Sequence, residues 1–155
     1  MKLTTLCFLQ KGNELLLAMK KRGFGMGKWN GVGGKVSEGE SVEQATIRET
    51  EEELGVVIAS KDLRKVADLH FKFVDKEEWN QHCSVYMTSV WKGEPAESEE
   101  MKPQWYAKDA LPYETMWVDD KYWLPRVLAG EKLEAHFIFN QKGEIVGEFE
   151  IKTVS

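Results

Sequence analysis

Glu49, Glu52 and Glu53 stand at i, i+3 and i+4 in the segment RETEEELG. At this spacing three side chains share one face of a helix. Like charges so placed oppose the helix by roughly 0.2–0.5 kcal/mol per pair. No lysine or arginine follows any of the three at i+4, and Arg48, beside Glu52 on the helix surface, is the one cation positioned to relieve them. A hard divalent cation would draw the cluster together, because Mg²⁺ takes carboxylate oxygens along with the phosphates of a substrate. The plainer reading of a glutamate run is a solvated acidic face. The stretch just upstream, Gly31-Val32-Gly33-Gly34-Lys35, tips the balance toward the metal.

These residues need a helix to hold them, and its ends are written in the sequence. Ser41 is an N-cap, Gln44 completes a capping box, and Gly55 is a C-terminal stop. Ile47, Thr50 and Leu54 form a face that can bury, while Glu51 points to water. Ahead of this segment, Leu3 to Leu9 and Leu15 to Met19 predict two strands around the turn Lys11-Gly12-Asn13. Lys20-Lys21-Arg22 then runs into Gly23-Phe24-Gly25-Met26-Gly27, a permissive loop whose basic flank either meets phosphates or is a charged strand end.

Downstream, strands are predicted over 66–74 and 82–91, with Phe71 and Phe73 on one side of the first. An acidic loop follows at 93–100, then a short strand over 104–107. Asp119-Asp120 opens a helix to about Leu128, closed by Gly130, in which Pro125 predicts a kink or an early end. A hairpin of 133–140 with 144–151 completes a mixed sheet with helices on its faces.

Gly34, Glu40 and the run Arg48 to Val56 reproduce the signature of the Nudix hydrolases, enzymes that cut nucleoside diphosphates linked to another group. Thr50 departs from the family's usual aliphatic residue, on the face expected to bury. The resemblance implies an α+β fold, the Nudix α/β/α sandwich with a mixed sheet. It also implies Mg²⁺, with Mn²⁺ as an alternative, on Glu49, Glu52 and Glu53, joined by the carbonyl of Gly33 or Gly34. Arg48 would hold a glutamate in place. In MutT-like members a later acidic loop approaches the metal; here that loop contributes Glu97 as ligand or base, and Glu53 is the other candidate base.

The segments LLLAMKKRGFGMGKWNGVGGK, ESEEMKP and MWVDDKYW extend the likeness to the MutT-like Nudix hydrolases of oxidised purine nucleoside triphosphates. That likeness implies release of a nucleoside monophosphate and pyrophosphate. A purine needs a flat apolar wall and polar groups at its edges. Trp117 offers a stacking face, Phe24 and Phe71 a second wall, and Asn30 a donor and an acceptor together. Lys20, from the basic run, is a further substrate-binding candidate. Asp119 and Asp120 either read the Watson–Crick edge or cap the helix they precede, and Trp117 and Trp123 could equally be core. Two other functions remain open: a Nudix enzyme for nucleotide sugars or dinucleoside polyphosphates, and a nucleotide-binding regulator without turnover.

The whole chain bounds these readings. Its 155 residues are expected to form one domain, 1–155, with a sizeable core. A net charge of −5 gives no basic footprint for a nucleic-acid polymer and favours a small anionic substrate held through metal. No apolar run approaches a membrane span, and MKLTTLCFLQ reads as a strand and not a signal peptide. Cys7 and Cys83 are expected to be buried and unpaired. A cytoplasmic monomer is the expectation.

Overall fold

The computed structural model describes residues 1–154. The first apolar segments form β1 (Lys2–Lys11) and β2 (Glu14–Lys20), and the turn between them uses Gly12 at φ +57°. Their hairpin is brief, since only Gln10↔Leu15 and Lys11↔Glu14 pair across it. Beyond that point β2 pairs with β3 (Trp29–Asn30) and, along its whole length, with β6 (Met101–Ala107). β1 instead pairs in parallel with β5 (Gln81–Thr88). The sheet continues antiparallel into β4 (Arg64–Phe73), parallel into β7 (Lys132–Phe139) and antiparallel into β8 (Glu150–Val154). The order is therefore β3-β2-β1-β5-β4-β7-β8, with β6 on β2, a mixed sheet as expected.

One helix covers each side. α1 (Val42–Leu54) buries Ala45, Thr46, Thr50 and Leu54. Leu54 packs in a cluster with Cys7, Leu9, Leu16, Val32 and Ile58. α2 (Asp120–Leu128) sends Trp123, Leu124 and Val127 into a larger cluster with Phe8, Leu15, Leu69, Val85, Leu133 and Phe137. Both cysteines are buried and free, and burial pushes each thiol up to about 12.

Several element ends differ from expectation. The strand predicted over 82–91 stops at Thr88, and the one predicted over 104–107 begins at Met101. Pro125 does not end α2 early: it lacks the N–H that would reach the Lys121 carbonyl, yet the helix continues to Leu128. The strand predicted over 144–151 is split. Ile145 bridges Phe139, but regular pairing resumes only at Glu150 opposite His136, so three steps along β7 face five on the returning chain. Gly147, at φ +72°, lies in that excursion.

Two features of β4 matter below. Its register against β5 shifts by one between Lys65 and Ala67, so Val66 is the extra residue of a bulge, and Val66 and Ala67 are both buried. After the bulge the strand alternates cleanly: Leu69 and Phe73 are buried and Phe71 packs against the same core, while His70 lies on the other side. His70 faces His82 on β5 and His136 on β7.

Candidate active site

The glycine loop is stitched to the free edge of β1. The Thr5 N–H donates to the Gly34 carbonyl at 2.9 Å, Val32 and Cys7 exchange two bonds, and the Val36 N–H donates to the Leu3 carbonyl at 2.9 Å. The approach is too close for any side chain. A Cβ on Gly33 would stand 1.8 Å from the Thr5 carbonyl oxygen, and one on Gly34 would stand 2.5 Å from Glu49 Cδ. The glycines are thus dictated by β1 on one side and a carboxylate of α1 on the other.

α1 starts at Ser41, whose side chain accepts from the Gln44 N–H while Gln44 accepts from the Ser41 N–H. It ends at Gly55 (φ +75°), whose N–H donates to the Glu51 carbonyl. Thr50 is buried, and its hydroxyl donates to the Thr46 carbonyl at 2.8 Å, so the departure from an aliphatic residue leaves no unpaired donor. This packing turns Arg48, Glu49 and Glu53 toward the glycine loop, where they meet the Lys35 carbonyl, Gly34 and the Gly33 amide, while Glu52 stays exposed beside Arg48.

Arg48 is the hub of the loop. It donates to Glu40 through Nε at 2.7 Å and Nη2 at 3.0 Å, to Glu49 at 2.8 Å, to Glu52 at 3.3 Å and to the Lys35 carbonyl at 3.2 Å. The guanidinium, with a backbone bond from Ser37, holds the Glu40 carboxyl down at about 2. The role of Glu40 as a clamp was not legible in the chain, because it requires the loop to fold back onto the helix.

Glu53 is the opposite case. Burial pushes its carboxyl up to about 7, helped by the charges of Glu49 and Glu100 and opposed by the Gly33 amide and Lys20. Its Oε2 is buried with no hydrogen-bond partner. An orphaned carboxylate oxygen beside other glutamates is what a hard cation satisfies, and the donors here are all oxygens. The residues present therefore fit Mg²⁺ or Mn²⁺.

The acidic loop differs from expectation. Glu97 is exposed and accepts from Lys21 Nζ at 2.6 Å. The loop carboxylate whose charge reaches Glu53 is Glu100. Glu100 also accepts from Arg22 at 2.6 Å, and its carbonyl accepts the Lys21 N–H at 2.8 Å. The basic run thus splits: Lys21 and Arg22 hold the acidic loop, while Lys20 turns to the cavity.

That cavity, of about 370 Å³, brings together Gly33, Gly34, Lys20, Phe24, Asn30, Phe71, Trp117, Asp119 and Asp120. Trp117 packs against Phe24 at 5.3 Å between ring centroids, with Lys28 Nζ 5.2 Å over its ring. Neither Lys28 nor the lining residues Gln81 and Phe139 stood out in the sequence. Trp123, by contrast, is core, edge-on to Phe8. Asp119 and Asp120 are 3% and 2% exposed. The Asp119 backbone opens α2, but its side chain caps nothing; it accepts from Trp123 Nε1. Burial raises Asp119 to about 6 and, with the Asp119 charge beside it, raises Asp120 further above the usual carboxyl range. Burial and like charge thus favour keeping one of these two adjacent acids neutral, and a neutral carboxyl can donate a hydrogen bond where an ionised one only accepts.

The NUDIX domain pattern matches residues 2–127. The chain is 42% identical over 145 residues to the oxidized purine nucleoside triphosphate hydrolase of Danio rerio, covering 94% of this chain and 91% of that one. It is 41% identical, with the same coverage, to the protein of that name from Mus musculus. A solved MutT protein of Bacillus halodurans superposes with a TM-score of 0.83 over 97% of both chains at 22% identity, a likeness of fold.

Proposed function

Because the chain belongs to the Nudix family, we propose that it is a Mg²⁺-dependent hydrolase of oxidised purine nucleoside triphosphates, 8-oxo-dGTP among them. The products are the nucleoside monophosphate and pyrophosphate, and the role is to clear damaged nucleotides from the pool. One observation carries this reading: the glycine loop at the foot of α1 and the Trp117–Asp119–Asp120 wall open into the same cavity. A base seated on the wall sends its phosphates toward the glutamates.

Glu49, Glu52 and Glu53 would hold the cation, with Glu100 and the Gly33 carbonyl as further oxygens; the Gly34 carbonyl already accepts the Thr5 N–H. Mn²⁺ would serve in place of Mg²⁺. The cation supplies charge neutralisation at the phosphates when bound. Arg48 fixes Glu49 and Glu52 in orientation. Glu53, which burial raises before a cation binds, is the candidate base, and the charge of a bound cation would favour the ionised form that accepts a proton from water. Lys20 brings positive charge to the phosphate path. Trp117 and Phe24 stack the base, with Phe71 behind, while Asn30, Asp119 and Asp120 pair with its edges.

The same reading takes residues 1–155 as one catalytic domain acting as a cytoplasmic monomer on small nucleotides, without a nucleic-acid polymer. Among the described residues no helix is long and apolar enough to cross a membrane. The test is pyrophosphate release across normal and oxidised nucleotides, nucleotide sugars and dinucleoside polyphosphates, with and without Mg²⁺. Preference for an oxidised purine triphosphate is expected. Faster turnover of a sugar or dinucleoside substrate would reassign the enzyme, and no turnover at all would leave a binding protein.

A further inference from the structure

The chain has three histidines, and they stand side by side on neighbouring strands. The His70 ring stacks on His82 at 4.4 Å between centroids, and on His136 at 4.3 Å and within 7° of parallel. No spacing in the sequence announces this, because the three residues meet only through the registers of β4, β5 and β7.

The three rings are not equivalent. His82 Nε2 is engaged with Asp68 at 2.8 Å, and Asp68 is held in turn by Lys65 at 2.9 Å. His70 Nε2 is buried and has no hydrogen-bond partner. Its nearest carboxylate oxygen is Glu134 Oε2, at 3.7 Å. That gap is too long for a hydrogen bond. It lies within the span of roughly 3.3–4.1 Å that separates two ligands each about 2.0–2.1 Å from a Zn²⁺ ion. The other oxygen of Glu134 is held by Lys152 at 3.3 Å, which fixes the carboxylate as outer partners of metal ligands do. His136, two residues along β7 from Glu134, offers a third ligand once its exposed ring turns about χ2 out of the parallel stack on His70, since two parallel rings cannot both aim an in-plane nitrogen at one ion; the ligand atoms of all three residues lie within 4.8 Å of one another. His136 is exposed, so an ion and a completing water can reach the site.

We propose that His70, Glu134 and His136 form a transition-metal site of the Zn²⁺ class, separate from the glutamate cluster of α1. Two imidazoles and one carboxylate suit Zn²⁺, and also Ni²⁺ or Cu²⁺, whereas Mg²⁺ prefers oxygens alone. Strand alternation puts the site on the side of β4 opposite Phe71 and the cavity. The ion would cross-link β4 to β7 and leave the hydrolytic residues untouched.

Zn²⁺ titrated into the full chain in the presence of excess Mg²⁺ tests this by calorimetry. One Zn²⁺ per chain is expected at micromolar affinity. His136→Ala and Glu134→Gln should each weaken it at least about 10- to 100-fold, the range for loss of even an outer-shell partner, with Mg²⁺-dependent turnover as in the wild type to report an intact fold. Glu49→Gln with Glu52→Gln should leave this Zn²⁺ bound. Co²⁺ added to the unaltered protein should give the intense visible band of a low-coordinate, nitrogen-ligated ion. Absence of micromolar binding, an affinity indifferent to His136→Ala and Glu134→Gln, or the pale spectrum of an all-oxygen octahedral site would each overturn the proposal.

Discussion

The indole Nε1–H of Trp123 donates to Oδ2 of Asp119 at 2.9 Å, with both side chains buried. The bond favours the charged form of Asp119 and leaves Asp120, whose Oδ2 has no partner, as the better proton holder. Asp119→Asn and Asp120→Asn replace an adjustable pair by a fixed donor and acceptor. Each should cost roughly 5- to 150-fold in kcat/KM, about 1–3 kcal/mol for a buried hydrogen bond, and unequally for oxidised guanine and oxidised adenine triphosphates. Efficiencies for both substrates, with the ratio unchanged in both variants, would remove the aspartates from base recognition.

Glu53→Gln and Glu52→Gln should each lower kcat by about 10²-fold or more, the scale of a lost base or metal contact. Thermal melts separate the two effects. Without Mg²⁺, Glu53→Gln should fold at least as stably as the wild type, since it removes a buried charge. The rise in Tm that Mg²⁺ gives the wild type should shrink in it. Retention of more than about a third of wild-type turnover by either variant would sink the assignment.

Glu100 and Glu97 give opposite expectations. Glu100→Gln should reduce kcat at saturating Mg²⁺ and raise the Mg²⁺ needed for half-maximal rate. Glu97→Gln breaks one exposed ion pair with Lys21, a change worth little in most proteins. Equal loss in the two variants, read from Mg²⁺ titrations of the rate, would return Glu97 to the metal.

Arg48→Lys keeps the charge but not the planar fork that serves Glu40 and Glu49 together. It should lower kcat by about 10- to 100-fold, as loss of an outer-shell partner does, with KM for substrate little changed. A lysine variant of normal kcat would show that the fork is not needed.

Stability should fall as pH rises in Mg²⁺-free buffer. Asp119 is raised from 3.8 to about 6 and Glu53 from 4.5 to about 7 in the folded chain. A carboxyl raised by folding contributes stability that is fully present below its unfolded value and is lost as pH climbs through its folded value. The loss should run from about pH 4 to 7. Glu40 and Glu131, both lowered to about 2, act in the other direction, and their contribution fades only as pH drops below 4.5. Denaturant melts should therefore peak in mildly acid solution. Asp120→Asn should flatten the decline above the peak, and Mg²⁺ should offset the part due to Glu53. A stability that rises from pH 5 to about 8 would contradict the buried acids.

The helix that carries the glutamates was legible because its signals are local: Ser41, Gln44 and Gly55 lie within the segment they delimit. The residues proposed for the base wall were named from the chain, and the structure lines one cavity with all of them. What was not legible depends on register. Choosing Glu97 over Glu100 turns on Lys21 and Arg22 meeting the acidic loop across β2 and β6. The clamp of Glu40 on Arg48 needs the loop to return to α1. Gly147 did carry a signal, since an isolated glycine inside a strand pattern marks a break.

The bulge at Val66 sets the phase of everything after it on β4. Deleting one residue there, or adding one, would turn Phe71 outward and His70 into the core, because side chains on a strand alternate with a period of two. The cavity wall at Phe71 and the histidine row are thus inherited as one unit. Length changes in this strand are tolerable only in pairs or when a second irregularity cancels the first, so natural variants of the chain should conserve the parity of β4 even where its residues differ.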